Sequence, residues 1–317
     1  MSQKLAVGAF SPSVLLRVAR RTGRLDQHDL TVEETAVSSS PAQFRSLLDG
    51  ALDAVLTSPD NVVAYRFAPD NPLGVTADVK MVSAIDRGLG LALYPRKDIT
   101  AAAQLRGATL GVDVPTSGFA LAMYALAESI GLNQDDYKLV ELGSTPKRLG
   151  ALLAGQCDAT MLNAGNELLA EQAGCSPLAR VADLRTPYLG TVLCVAGNEN
   201  LEPATVLAAA LRATADDICS GVLDDLSADE ACAALGLPRA LAERYVARLK
   251  DPVEGLVPDA LIDLPSLSTV VELRRRYVPS IVGGIDVLAD ALEPGSGLVA
   301  STGLGNRDLG HMEPRNR

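Results

Sequence analysis

The amino-acid sequence predicts an α/β protein with two similar lobes, each containing a doubly wound, mainly parallel sheet. Three observations support this fold class. Short apolar strands alternate with helical patterns from residue 4 to residue 174, and such alternation predicts parallel strands joined by helical crossovers. Several helices follow Ser or Pro and end at Gly, which are typical start and stop signals. Finally, "SSPAQFRSLLDGALDAVL" (39–56) and "STPKRLGALLAGQCDATM" (144–161) repeat one pattern 105 residues apart.

The first passage contains three predicted strands, each followed by a helix. "KLAVGAF" (4–10) is a short apolar strand, and we expect Ser11 to cap the next helix with Pro12 at its first position. "LTVEETAV" (30–37) alternates as a half-buried strand does. The passage continues with a helix over 38–50, a strand over 52–58 and a helix from residue 59.

The second passage repeats that order of elements. Its predicted strands cover 108–114, 137–143 and 157–163, with a helix after each one. Identical residues recur at the offset of 105 through about 57 residues. Leu, Gly and Ala matches are common between any two α/β units, so chance could account for part of the identity. The constant offset favours paired lobes, because solenoid repeats have much shorter periods.

Two segments join the passages to the rest of the chain. Residues 80–98 and 185–201 each combine an apolar strand with Gly and polar residues, and we expect the chain to cross between the lobes there. The region that follows is helical in pattern and ends in a Gly-rich, polar stretch. The predicted division is lobe 1 over 1–86 and 191–292, lobe 2 over 87–190, and a flexible tail over 293–317.

Composition argues against several classes of partner. The formal net charge is −11, which opposes binding to nucleic acid and to anionic membranes. No apolar run approaches 18 residues, so we expect no membrane span. The five Cys residues show no CxxC spacing, and the first residues read as a strand rather than as an export signal. Both observations favour a cytoplasmic location, or a periplasmic or other extracytoplasmic one if a leader was removed.

An ordered set of motifs resembles a known family. The set is "KLAVGAFSPSVLLRVARRTGRL", "SSPAQFRSLLDGALDAVLTSPDN", "LRGATLGVDVPTSGFALAMYALAESIGL" and "STPKRLGALLAGQCDATMLNAG". It looks like the type II periplasmic binding proteins, within the group that serves sulfonate, taurine, nitrate and thiamine-pyrimidine uptake. The resemblance implies a two-lobed clamshell that closes by hinge bending on a small molecule and delivers it to the permease of an ABC transporter. The absent export signal and the five Cys residues depart from the family pattern.

The candidate ligand-binding residues follow from the fold. Ligands of open α/β sheets lie beyond the carboxyl ends of the strands, and nearly every such turn here carries a hydroxyl or an amide. Helix N-termini that face one cleft suit an anionic or amide-rich ligand. The candidates at these turns and at the two crossovers are Ser11, Pro12, Ser39, Ser40, Thr57, Ser58, Asp60, Asn61, Arg87, Thr116, Ser117, Gly118, Phe119, Asn163 and Tyr188.

Each candidate also has an ordinary structural explanation. Ser, Thr and Asn cap helices for stability alone. Arg87 could form a surface pair with Asp86 instead of gripping an anion, and Phe119 and Tyr188 could be core aromatics. Lys147 and Arg148 are expected on a solvated helix face.

No catalytic or metal motif is present. The two His residues, His28 and His311, lie in a polar loop and in the tail, and HExxH, GxSxG and P-loop motifs are absent. We expect no metal and no cofactor, and the sequence identifies no catalytic residue. A small-molecule binding protein is therefore the leading interpretation. The alternatives are a cytoplasmic, cofactor-free lyase, decarboxylase or isomerase that uses a lone Asp or Cys, and a ligand-sensing module without a transporter.

Overall fold

The computed structural model describes residues 3–301. The first passage forms β1 (Gln3–Ala9), α1 (Val14–Arg21), β2 (Leu30–Ala36), α2 (Ser40–Leu48), β3 (Ala54–Thr57), α3 (Pro59–Phe67) and β4 (Val79–Asp86). The second forms β5 (Ala92–Pro95), β6 (Thr109–Val112), α4 (Gly118–Ser129), β7 (Lys138–Glu141), α5 (Thr145–Leu153), β8 (Ala159–Leu162), α6 (Asn166–Gln172) and β9 (Ala179–Arg180). The remaining elements are β10 (Thr191–Ala196), α7 (Leu201–Cys219), α8 (Asp224–Leu235), α9 (Arg239–Leu249), α10 (Leu264–Tyr277), β11 (Ile281–Val282) and β12 (Ile285–Asp286).

Two five-stranded sheets organise the molecule. The first has the order β2-β1-β3-β10-β4, with β1 parallel to β2 and β3, and β10 antiparallel to both of its neighbours. The second has the order β7-β6-β8-β5-β9, with β6 parallel to β7 and β8, and β5 antiparallel to β8 and β9. The chain leaves the first sheet after β4 and returns to it at β10. We propose lobe boundaries at those two crossings, as the sequence predicts.

The internal repeat is visible in the strand registers. Gly8 pairs with Thr35 in the first sheet, and Gly111 pairs with Val140 in the second. Val7 pairs with Ala54, and Leu110 pairs with Ala159. The offset is therefore 105 for β2 and β3 but 103 for β1, because Val7 corresponds to Leu110. Phe10, directly after β1, then corresponds to Asp113, directly after β6.

Local capping explains where the helices begin. The helix after β1 starts at Val14, and Ser13 is its N-cap, since the Ser13 hydroxyl accepts a hydrogen bond from the Leu16 amide at 3.3 Å. The predicted cap at Ser11 is therefore displaced by two residues. Ser39 caps α2 through the Ala42 amide at 3.3 Å.

Side chains of α10 and α6 pack into the cores of both lobes. On α10, Leu267 and Val271 belong to a hydrophobic cluster of the first lobe, whereas Val270 lies in the main cluster of the second lobe. Leu168 of α6 is fully buried in the first lobe's cluster beside α9. Each lobe thus contributes apolar side chains to the other's core.

The described part of the predicted tail lies against the first sheet. Val299 bridges to Met81, and Leu298 and Ala300 are buried. The backbone amide of Met81 donates to the Leu298 carbonyl at 2.8 Å. Residues 302–317 of the predicted flexible tail, including His311, lie outside the described residues.

Candidate functional site

A cleft enclosing about 880 Å³ of space, including its solvent-open part, lies between the two lobes. Nine of the candidate residues from the sequence line it. They are Ser11, Pro12, Thr57, Ser58, Asn61, Ser117, Gly118, Phe119 and Asn163. These side chains come from the turns after β1, β3 and β8 and from the start of α4, so strand ends from both lobes face one space.

Asp60 and Thr116 lie beside the cleft rather than on its wall. The Asp60 carboxylate accepts two hydrogen bonds from the guanidinium of Arg274, from Nε at 2.7 Å and from Nη2 at 2.8 Å. The same Nη2 also donates to the backbone carbonyl of Thr116 at 2.7 Å. Asp60 and Arg274 are both almost fully buried. Arg274 therefore holds the start of α3 in one lobe against the turn before α4 in the other.

Four further candidates have structural contacts instead of cleft positions. Ser39 caps α2, and the backbone amide of Ser40 donates to Asp113 Oδ2 at 3.0 Å. Arg87 forms a half-exposed ion pair with Asp263 at 3.4 Å. Tyr188 is buried near the second crossover. It lines a small cavity together with Arg87.

The cleft also contains charged residues that the sequence did not single out as ligand groups. Arg148 is 2% exposed and lines the cleft, although its sequence context suggested a solvated face. Asp86 and Asp113 line the cleft as well. One signal could have found Arg148. At the offset of 105 it corresponds to Gln43, which is a polar residue in a stretch that packs on the sheet.

Much of the apolar wall comes from the segment around the start of α1 and from the segment after the repeats. Phe10, Leu15, Tyr245, Leu249 and Leu256 all line the cleft. No local pattern could have placed the last three residues there, because their approach depends on contacts between segments far apart in sequence, such as the ion pairs that join α9 to α6. The cleft is consequently polar where helix N-termini meet and apolar where the C-terminal segment covers it.

Helix N-termini dominate the polar part. Ser58 precedes α3 and Ser117 precedes α4, and neither side chain caps its helix. Both hydroxyl oxygens are buried and have no hydrogen-bond partner among the described residues. Unpaired backbone N–H groups and the positive ends of two helix dipoles are concentrated at this point. Such a place favours acceptor atoms of a bound molecule.

The guanidinium of Arg148 is held mainly by backbone carbonyls. Nη1 donates to the Gly143 carbonyl at 2.5 Å, and Nε and Nη2 donate to the Met161 carbonyl at 3.4 and 3.3 Å. Nη2 also donates to Thr145 Oγ1 at 3.0 Å. Burial lowers the pKa of Arg148 to about 10, while the nearby charge of Asp113 acts in the opposite direction. The side chain therefore remains a cation at neutral pH and fixes α5 to β8.

Asp86 joins the two crossovers. Its Oδ1 accepts a hydrogen bond from the Gly88 amide at 2.8 Å, and its carboxylate also bonds the Thr191 hydroxyl. Gly190 packs closely against it, since a Cβ there would lie 2.5 Å from Oδ1. Burial raises the pKa of Asp86 to about 6. A titratable group thus lies on the cleft wall at the point where both connections between the lobes meet.

The described residues include no group of three or more His, Cys, Asp or Glu side chains arranged to hold a metal ion. Within residues 3–301, no helix is both long enough and apolar enough to span a bilayer.

Comparisons with known proteins identify the fold. No protein-family model and no curated protein matches the chain. Among solved structures, the alkanesulfonate-binding protein SsuA from Xanthomonas axonopodis pv. citri, bound to MOPS, is 18% identical. The match covers 93% of this chain and 96% of that one, with a TM-score of 0.67.

Two other solved structures have a similar architecture. The Candida albicans CA3427 gene product, described as having the generic periplasmic binding protein fold, is 15% identical over 94% of this chain and 96% of that one, with a TM-score of 0.68. A DszB variant in complex with biphenyl-2-sulfinic acid is 17% identical over 94% and 98%, with a TM-score of 0.58. The predicted two-lobed α/β fold of the periplasmic binding proteins is therefore confirmed.

Proposed function

We propose that this chain is a small-molecule binding protein that closes its two lobes on an anionic or amide-rich solute. The observation that carries the proposal is the cleft between the lobes, where buried and unpartnered hydroxyls of Ser58 and Ser117 meet at two helix N-termini. Unpaired buried polar groups cost stability, and a bound solute would supply their partners. No cofactor is required for this role.

Its structural neighbours extend the proposal to a biological role. SsuA is an alkanesulfonate-binding protein, and by analogy of fold this chain would pass its solute to the permease of an ABC transporter. That role requires a location outside the cytoplasm, whereas a sensing role is compatible with the cytoplasmic expectation. Cell fractionation distinguishes the two locations.

Ligand screening by thermal melting tests solute binding. The panel contains sulfonates, aromatic carboxylates, amino acids and their amides. A ligand present at 100 times its Kd stabilises the folded state by about 2.7 kcal/mol, which raises the Tm of a chain this long by several degrees. A panel that leaves the Tm unchanged, with one member consumed during incubation, would contradict the proposal.

Gly118 offers a test of lobe closure. A Cβ at Gly118, on the second lobe, would lie 2.3 Å from Ser58 Oγ on the first. We expect Gly118→Ala to keep the lobes slightly apart and to weaken ligand binding, with little effect on the stability of each lobe. Gly150→Ala in α5 is the matched control, because a Cβ there meets nothing within 4 Å. Equal affinities for the two variants would exclude closure at this point.

The alternative is a cofactor-free enzyme on the same fold, and one observation favours it. Asp86 lines the cleft and has a pKa of about 6, which suits an acid or base that acts near neutral pH. Chromatography of the panel after incubation would show product in that case, and the product would disappear in Asp86→Asn.

A further inference from the structure

Asp113 has an unused acceptor at the wall of the cleft. It follows β6 directly, is 7% exposed and lines the cleft. Its Oδ2 accepts the Ser40 amide of the opposite lobe at 3.0 Å, whereas Oδ1 is buried and has no hydrogen-bond partner among residues 3–301. A carboxylate accepts hydrogen bonds and donates none. A molecule bound beside Oδ1 must therefore bring a donor.

The charges around the cleft disfavour a full anion. Its charged lining residues are Asp86, Asp113 and Arg148. Arg148 is the cation among them, and four of the five N–H groups of its guanidinium already point to the Gly143 and Met161 carbonyls and to Thr145. At most one N–H is left for a ligand. A sulfonate or carboxylate would thus gain little from Arg148 and would be repelled by the nearby Asp113.

The protein also offers hydrogen-bond donors to acceptor atoms of the ligand. The hydroxyls of Ser58 and Ser117 lack partners. First helical turns leave N–H groups without an intrahelical partner, and α4 offers more of these than α3, whose first residue is Pro59. The polar part of the cleft therefore combines donors of the protein with one unpaired carboxylate oxygen. A chemical group that carries an acceptor and an N–H donor side by side would satisfy both.

We infer that the solute presents an uncharged donor–acceptor group, such as a primary carboxamide, a ureido group or an amino-heterocycle edge, with its N–H directed at Asp113 and its acceptor at the hydroxyls of Ser58 and Ser117. This inference rests on the proposed function and narrows its ligand class from anionic or amide-rich to amide-like.

Matched pairs of small probes test the inference. Benzamide is compared with benzoate, nicotinamide with nicotinate, and benzenesulfonamide with benzenesulfonate, by calorimetric titration of the full chain. Within each pair we expect the amide to bind at least about 10-fold more tightly, because a hydrogen bond to a charged group contributes a factor of that order. Tighter binding of the acids would overturn the inference while leaving solute binding intact.

Two variants separate the role of Asp113 from general effects. Asp113→Asn keeps an acceptor for the Ser40 amide and replaces Oδ1 with a donor, so we expect the preference for the amide to fall to about 1 or to reverse. Asp98→Asn, an exposed carboxylate of the same lobe, should leave the preference unchanged. An unchanged preference in Asp113→Asn would overturn the assignment to Asp113. If no probe of either kind binds, the proposed function fails together with the inference.

Discussion

The two lobes use equivalent positions in different ways. Gln43 in α2 and Arg148 in α5 are both buried, and each donates to the carbonyl at an equivalent place on the third strand of its repeat, Leu56 at 3.1 Å and Met161 at 3.3–3.4 Å. The scaffold contact is the same, yet only the second lobe gains a charge. The equivalent positions Phe10 and Asp113 also differ in charge. At this place the first lobe has an uncharged aromatic ring and the second lobe has a carboxylate.

The comparison shows which positions hold the repeat together and which give the cleft its chemistry. Several residues that match between the repeats, such as Leu47 and Leu152, are buried apolar residues. The two charged cleft residues within the repeats, Asp113 and Arg148, lie where the repeats differ. The second lobe therefore contributes two of the three charged residues of the cleft wall. The first lobe contributes Asp86 at the end of β4, apolar surface, and uncharged hydroxyls and amides.

The largest expected loss of unfolding free energy concerns Asp60, whose equivalent in the second lobe is Gly165. Asp60→Ala leaves the guanidinium of Arg274 buried without its partner, and breaking a buried pair in this way costs about 3–5 kcal/mol. Urea unfolding measures the loss. Asp78→Ala removes a more exposed partner of Arg66 and should cost less than about 1 kcal/mol. Similar losses for the two variants would show that the buried pair has no special role.

The next effect tests the equivalence of Gln43 and Arg148. Arg148→Ala leaves the Gly143 and Met161 carbonyls without these donors and should cost about 2–4 kcal/mol of unfolding free energy. Arg148→Gln copies the arrangement of the first lobe and should retain most of the stability. Gln43→Ala should cost about 1–3 kcal/mol. If Arg148→Gln is as unstable as Arg148→Ala, the two positions are not equivalent.

A pH dependence arises where the second lobe meets α9. Glu167 of α6 is fully buried, its Oε2 accepts the Gly165 amide, and Arg248 lies 3.6 Å from Oε1. Burial raises its pKa to about 7, against the charge of Arg248 and with a small contribution from Glu171. Because the folded pKa lies above the unfolded one, the stabilisation is present at low pH and is lost as the pH rises from about 5 through 7.

This loss is about 2–3 kcal/mol between pH 5 and pH 8. Asp86, whose pKa is raised to about 6 by burial, acts in the same direction. Glu167→Gln should flatten the pH profile of the Tm and remove about half of the dependence. If the Tm of Glu167→Gln changes with pH as steeply as that of the original chain, another group is responsible for the pH dependence.

The smallest expected change in unfolding free energy concerns Arg87, a candidate from the sequence for gripping an anionic ligand. Its ion pair with Asp263 is half-exposed, so Arg87→Gln should change the unfolding free energy by less than about 1 kcal/mol. Its position outside the cleft also predicts unchanged ligand affinity. A lost thermal shift in this variant would restore Arg87 as a ligand group.

Local patterns predict the α/β class and nine of the residues that line the cleft. The two-lobed arrangement is predicted by the repeat at the offset of 105 and by the family resemblance. Alternating strands and Ser-Pro helix starts are local signals, and parallel strands bring their carboxyl ends together. The sequence predicts a solvated position for Arg148, because adjacent Lys and Arg residues do not show which of them faces the sheet. Tyr245 and Leu249 could not be predicted, because their place depends on contacts between segments far apart in sequence.

The position of β10 affects the order in which the protein folds during synthesis. The second sheet is built from one continuous segment, residues 92–180, whereas the first needs β10 between β3 and β4. At 5–20 residues per second, roughly 7–27 s separate the synthesis of β3 from that of β10. The first sheet therefore remains incomplete with exposed strand edges, while all strands of the second sheet can pair before β10 is made. The core of the second lobe is completed later, when Val270 of α10 is added. Limited proteolysis of ribosome-bound chains in which residues 1–185 have emerged should find the second sheet better protected than the N-terminal strands.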